Sequence, residues 1–227
     1  MLKAVIFDFD GVIADAEPVH LKAFQAVLSE EGIELTKKEY YDKYLALDDK
    51  TCFAAILKDM GRSFNKSLIH DLTVRKSEYY DELIRENLVI FPGVIDFIRK
   101  LYGKYPLSIG SGALRHEIEF ILESIGIRKE FSVIVGADEI ENCKPAPDVY
   151  VRVLQMINQL DSLKSGIVYP YECLVVEDSI AGIKAARSAG MKCLAVTNSY
   201  PAEKLSEADM VVKSLEGVGI EDIEKLF

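Results

Sequence analysis

The sequence predicts an α/β fold: a doubly wound, Rossmann-like parallel sheet with an all-helical lobe inserted after the first strand. Short apolar, β-branched runs alternate with helix-length segments over most of the chain. Two of those segments, ending "ESIGI" and "RSAGM", stop at a glycine, the residue that most easily turns the backbone left-handed at a helix end. Between residues 15 and 87 the rhythm changes, with apolar residues at helical spacing and no strand run among them.

The first strand is expected over Ala4–Phe9. Others are expected at Leu107–Gly110, Val133–Val135, Leu174–Val176 and Cys193–Val196, with an edge strand at Met210–Val212. Runs this short and apolar on both faces suit a parallel sheet covered on both sides. In the inserted lobe, Glu17–Glu31 places Val19, Ala23, Ala26 and Val27 on one helical face and stops at Gly32. Helices over Thr36–Leu45, Thr51–Met60, Asn65–Tyr80 and Asp81–Asn87 follow. The expected organisation is a core of residues 1–14 and 88–227 with a cap of residues 15–87. "FPGV" (Phe91–Val94) marks the return to the core, with Pro92 opening a helix. Asn158–Tyr171 reads as a polar surface connection.

Of 227 residues, 27 are Lys or Arg and 37 are Asp or Glu, a formal net charge of −10. A chain this acidic is a poor candidate for general binding to nucleic acid or a membrane surface, which needs a basic face. No apolar run reaches membrane-spanning length. The four cysteines, Cys52, Cys143, Cys173 and Cys193, show no metal-ligand spacing and read as free thiols in a reducing compartment, so a cytoplasmic protein is expected, with a monomer as the default state.

Four strand ends carry polar residues. "KAVIFDFDGVIAD" sets Asp8 and Asp10 two apart, hence on one side of the chain, followed by Gly11, which permits a sharp turn. "SIGSGALR" offers the Ser111 hydroxyl between Gly110 and Gly112, with a helix expected from Ala113; hydroxyl, open amides and helix terminus suit an anion. "NCKPAPDVY" mounts Lys144 on a backbone restricted by Pro145 and Pro147. "CLVVEDSIAGIKAARSAGM" ends a strand in Glu177 and Asp178, oxygen donors suited to Mg²⁺, with Ser179 as a helix cap. Each motif alone has a bland structural explanation. Together, in a sheet whose strand ends converge, they describe a crevice where acids hold a cation and the cation, Lys144 and Ser111 hold a phosphoryl group.

In this order and at these intervals the motifs resemble the haloacid dehalogenase-like (HAD) superfamily, in the branch of β-phosphoglucomutase and small phosphatases with a helical cap. The resemblance spans essentially the whole chain. It implies that Asp8 is a nucleophile forming an aspartyl-phosphate and that Asp10 is general acid and then general base. It implies Mg²⁺ held by Asp8, the Asp10 carbonyl and Asp178, with Glu177 direct or one step removed. Ser111, Gly112 and Lys144 would bind the phosphoryl oxygens. Asp10 also favours phosphoester over dehalogenase chemistry, because halide departure requires no proton.

The expected activity is hydrolysis of a small phosphorylated metabolite. The alternative is phosphoryl transfer between C1 and C6 of glucose, as in β-phosphoglucomutase, where a cap arginine grips the second phosphate. Here Asp49 aligns with that arginine, beside Lys50, and the missing cation favours hydrolysis. His20, Asp49, Lys50 and Arg115 are the candidate specificity residues. A receiver-like phosphoacceptor domain is a remote third reading, disfavoured by the helical insertion.

Overall fold

In the computed structural model, residues 1–45, 47–160 and 166–227 are described, without the side chains of residues 85–87. Part of the Asn158–Tyr171 connection therefore lies outside the described residues. The chain divides into two compact units, Met1–Asp15 with Ile90–Phe227, and Ala16–Val89.

The larger unit is built on β1 (Ala4–Phe7), β4 (Leu107–Gly110), β5 (Phe131–Val135), β6 (Cys173–Glu177), β7 (Lys192–Val196) and β8 (Met210–Val212), with the short strands β2 (Ala14–Asp15) and β3 (Val89–Ile90) at the edges of the insertion. The six form one sheet in the order β5-β4-β1-β6-β7-β8, every neighbour parallel. The chain winds outward from β1 to β4 and β5, then returns to β6 and winds the other way. The reversal makes β1, with its neighbours β4 and β6, the switch point where such sheets bind ligands.

The strands form because their alternating faces are both buried. Ala4 and Ile6 join Val133, Val135, Val149, Val153, Val175 and Ile183 in one core cluster. On β1's other face, Phe7 meets Phe97 and Phe131 edge-on, with ring centroids 6.2 and 5.9 Å apart. β1 is shorter than the apolar run suggests: it pairs with β4 and β6 through Phe7, after which the chain turns at Asp8–Gly11. The helix after "FPGV" starts at Val94, not Pro92. Gly93 precedes it at φ +79°, where a β-carbon would come within 2.4 Å of the Glu216 nitrogen.

The smaller unit is helical. Its first helix, Glu17–Glu30, packs Leu21, Phe24, Val27 and Leu28 against Tyr40, Phe53, Ile56, Leu57 and Leu72. Two expected helices merge into one, Lys66–Asn87, because neither glycine nor proline separates Tyr80 from Asp81. Asn65 caps it by accepting from the Leu68 N–H at 2.9 Å. Thr36 and Glu39 form a capping box, but the segment beyond continues as a π turn, Tyr40–Tyr44. Asp48 caps the next helix, Asp49–Asp59, which begins two residues earlier than expected.

Candidate active site

Four of the candidate residues meet at the carboxyl ends of β1 and β6. Phe7 pairs with Val176, and the Asp8 N–H donates to the Val176 carbonyl at 2.9 Å, so Asp8 emerges beside Glu177 and Asp178. The Lys144 ammonium lies 2.9 Å from Asp8 Oδ1 and 2.8 Å from Glu177 Oε1. Asp8, Glu177 and Asp178 are all buried, and one carboxylate oxygen from each lies within 4.8 Å of the others.

Glu177 is the most heavily bonded member. Its Oε1 accepts from Lys144 and, at 2.9 Å, from the Tyr150 hydroxyl. Its Oε2 accepts from the N–H groups of Asp178 and Ser179, both at 2.8 Å, and from the Ser179 hydroxyl at 2.9 Å. This arrangement suits Glu177 to holding Lys144 in place, and leaves Asp8 and Asp178 as the acids better able to offer oxygens to an ion. Tyr150 also turns its ring toward Lys144, 4.9 Å from the ammonium.

The electrostatics follow from burial. Burial pushes the Asp8 carboxyl up to about 6, with Lys144 pulling the other way. Burial, then Glu177 and Asp8, raise Asp178 well above the carboxylate range. Burial works against the Lys144 charge too, but Asp8 and Glu177 outweigh it and raise its pKa. For Glu177 burial is opposed by Lys144 and by the backbone donors, which together hold its pKa low. Three acids thus share one ammonium. A set of hard oxygen donors this close, short of positive charge, fits a divalent cation.

Two glycines make room for these acids. At Gly11, φ +79°, a β-carbon would fall 1.9 Å from Asp178 Oδ2; at Gly182 it would fall 1.6 Å from Glu177 Oε1. Asp10 lies half-buried in the turn after β1, bridged to Ala14. Ser111 is buried at the end of β4, where its N–H donates to the Val135 carbonyl at 3.1 Å. The helix beyond begins at Arg115 rather than Ala113. The intervening amides are engaged: Ala113 by Ser111 Oγ, Leu114 by Glu117 and Arg115 by Asp138. The expected cradle of open amides therefore narrows to the exposed Gly112.

Arg115 is not brought to the acids. Its guanidinium pairs with Glu139 at 3.0 Å and Glu119 at 3.4 Å. The remaining candidates belong to the helical unit. His20 stacks on Tyr80 with ring centroids 4.4 Å apart and accepts at Nδ1 from the Lys76 ammonium at 2.7 Å. Asp49 pairs with that same ammonium at 2.9 Å, and Lys50 is exposed. Sequence reasoning missed Lys76, Tyr150, Gly182, Asn198 and Ser199. Tyr150 and Gly182 lay inside motifs already singled out; the signal for Asn198 and Ser199 was their place after a strand end.

A doubly wound sheet with buried carboxylates and a lysine at its switch point offers a candidate ligand site at the strand ends, where α/β enzymes of this topology bind. The chain belongs to the haloacid dehalogenase-like hydrolases, whose family pattern matches residues 5–196. It is 30% identical to Protein CbbY of Rhodobacter capsulatus over 99% of both chains. It is 30% identical to fructose-1-phosphate phosphatase YqaB of Escherichia coli, over 85% of this chain and 95% of that one. Among solved structures, β-phosphoglucomutase of Clostridium difficile superposes with a TM-score of 0.85 at 26% identity, covering 100% of this chain and 97% of that one. CbbY of Rhodobacter sphaeroides in complex with phosphate gives a TM-score of 0.84 at 25% identity, over 96% and 97%. No helix of the described residues is long and apolar enough to cross a membrane.

Proposed function

We propose that this chain is a Mg²⁺-dependent phosphatase that hydrolyses a small phosphomonoester, a sugar phosphate foremost, through an aspartyl-phosphate on Asp8. The observation that carries the reading is the buried Asp8–Lys144–Glu177 ion-pair chain with Asp178 beside it. The names of two relatives point to the substrate class, one a phosphatase for fructose 1-phosphate and the other, from Thermotoga maritima and 29% identical, for phosphorylated carbohydrates.

Asp8 supplies the carboxylate oxygen that bonds to phosphorus as the ester oxygen departs. Asp10 gives that oxygen its proton. Asp10, now a base, takes a proton from the water that displaces Asp8 and releases inorganic phosphate. Lys144 and the Ser111–Gly112 turn hold the phosphoryl oxygens, and Glu177 keeps Lys144 on station. Asp8, Asp178 and the Asp10 carbonyl would hold Mg²⁺, which supplies positive charge where an anion must approach a carboxylate.

Hydrolysis is favoured over glucose phosphate mutation because the residue aligned with the mutase arginine is Asp49, already bonded to Lys76. A panel of sugar phosphates, assayed with and without Mg²⁺ for free phosphate and for isomerised sugar phosphate, tests this reading. Free phosphate that depends on both Mg²⁺ and Asp8 is the expected result. An Asp8→Asn variant with wild-type turnover would remove the covalent step, and isomerised product without free phosphate would make the enzyme a mutase.

A further inference from the structure

We infer that Asn198 and Ser199, just beyond β7, are positioning residues for the cation-holding end of the site, Asn198 through Gly11 and Ser199 through Asp178. The inference rests on the Mg²⁺ reading above.

β7 runs beside β6 with Leu194 opposite Val176 and Ala195 opposite Glu177, so residues just past Val196 arrive level with Asp178. The turn is anchored on its far side, where the Thr197 N–H donates to the Val212 carbonyl at 3.0 Å. The next two side chains reach back across the sheet. Asn198 Nδ2 donates to the Gly11 carbonyl at 2.6 Å, and the Ser199 hydroxyl donates to Asp178 Oδ2.

These bonds act on the two segments a cation would have to bridge. Gly11 is the pivot of the turn that presents Asp8 and Asp10, and Asp178 Oδ2 lies directly against it. Asn198 fixes the height of that turn over the sheet. Ser199 fixes the rotation of the Asp178 carboxylate by engaging one oxygen and leaving the other for the ion. Partners one step removed from a metal commonly change its affinity by about 10–100-fold, because they hold the ligands in the binding geometry before the ion arrives.

The test is calorimetric titration of the full chain with MgCl₂, alongside the Mg²⁺-induced shift in Tm. Ser199→Ala should raise the Kd for Mg²⁺ by about 10-fold, and Asn198→Ala should raise it in the same direction. Ser199→Thr, which keeps the hydroxyl, should restore wild-type affinity. A wild-type protein that binds Mg²⁺ while both alanine variants bind it equally well would overturn this inference alone. So would a threonine variant as weak as alanine. A wild type that binds no Mg²⁺ would overturn the metal reading and this inference with it. Should Ser199→Ala fail to fold, Asn198→Ala decides, and unchanged affinity there would overturn the inference.

Discussion

The carboxylate of Glu177 rests on the bare backbone of Gly182, so close that a β-carbon there would lie 1.6 Å from Oε1. Glycine in a helix is ordinarily a weakness, and replacing it with alanine in Ile180–Ser188 would by itself gain about 0.5–1 kcal/mol. The contact reverses that sign. Glu177 is buried and holds five hydrogen bonds, so its carboxylate moves only by giving some of them up. Hydrogen bonds to a charged group contribute about 1.5–3 kcal/mol each. Gly182→Ala should therefore lower Tm and also lower kcat, because Lys144 loses its seat. A variant as stable and as active as wild type would show that Glu177 does not position Lys144.

Asp10 is proposed to protonate the departing oxygen, and that proton matters in proportion to the basicity of the oxygen. Asp10→Asn should slow phosphorylation of the enzyme by a sugar phosphate by about 10²–10⁴-fold, the usual worth of general acid catalysis. The burst of nitrophenolate from p-nitrophenyl phosphate, a leaving group that departs as an anion, should fall far less. Pre-steady-state release of the first product compares the two substrates directly. Equal losses on both would assign Asp10 some other task.

The sheet could be read from the sequence because a parallel strand buried on both faces is a short, uninterrupted apolar run. Its ligand end could be read because polar residues follow such runs abruptly, as Asp8 follows Phe7 and Glu177 follows Val176. What escaped depends on partners distant in sequence. A lysine on a helix reads as a solvated charge, yet Lys76 is buried between the rings of Phe24 and Tyr80, with Asp49 and His20 as its polar partners. Arg115 read as an available cation until the fold set Glu139 and Glu119 beside it. Gly182 showed only as one letter of a motif, because its neighbour is a side chain rather than a sequence pattern.

His20 makes a prediction about pH. Burial and, after it, the neighbouring Lys76 hold its pKa well below the ordinary 6.5. With Lys76 donating to Nδ1, the ring is neutral and carries its proton on Nε2. In the unfolded chain His20 takes up a proton below about pH 6.5, whereas in the fold it does not until the pH is much lower. The unfolded state then binds more protons, so stability falls as the pH drops from 6.5 toward the folded pKa. Thermal unfolding at pH 7.5 and pH 5.5 should show a smaller difference in Tm for His20→Gln than for wild type. An unchanged difference would place the pH dependence elsewhere.

Ser108 makes a prediction about stability alone. It sits in β4 between Ile6 and Val133, fully buried, and its hydroxyl has no hydrogen-bond partner among the described residues. An unpaired buried hydroxyl costs about 1–3 kcal/mol. Ser108→Ala removes that cost at the expense of one atom's packing and a slightly poorer strand residue, a few tenths of a kcal/mol within a scale that spans about 1. The desolvation saving is the larger quantity, so the substitution should stabilise the fold. For a chain of this size, 1 kcal/mol corresponds to about 2–4 °C in Tm. Differential scanning calorimetry should show a rise of that order, with kcat for the best sugar phosphate unaltered. A fall in Tm would mean that the hydroxyl has found a partner in the strand backbone or in buried water, and that the packing around Ser108 is polar by design.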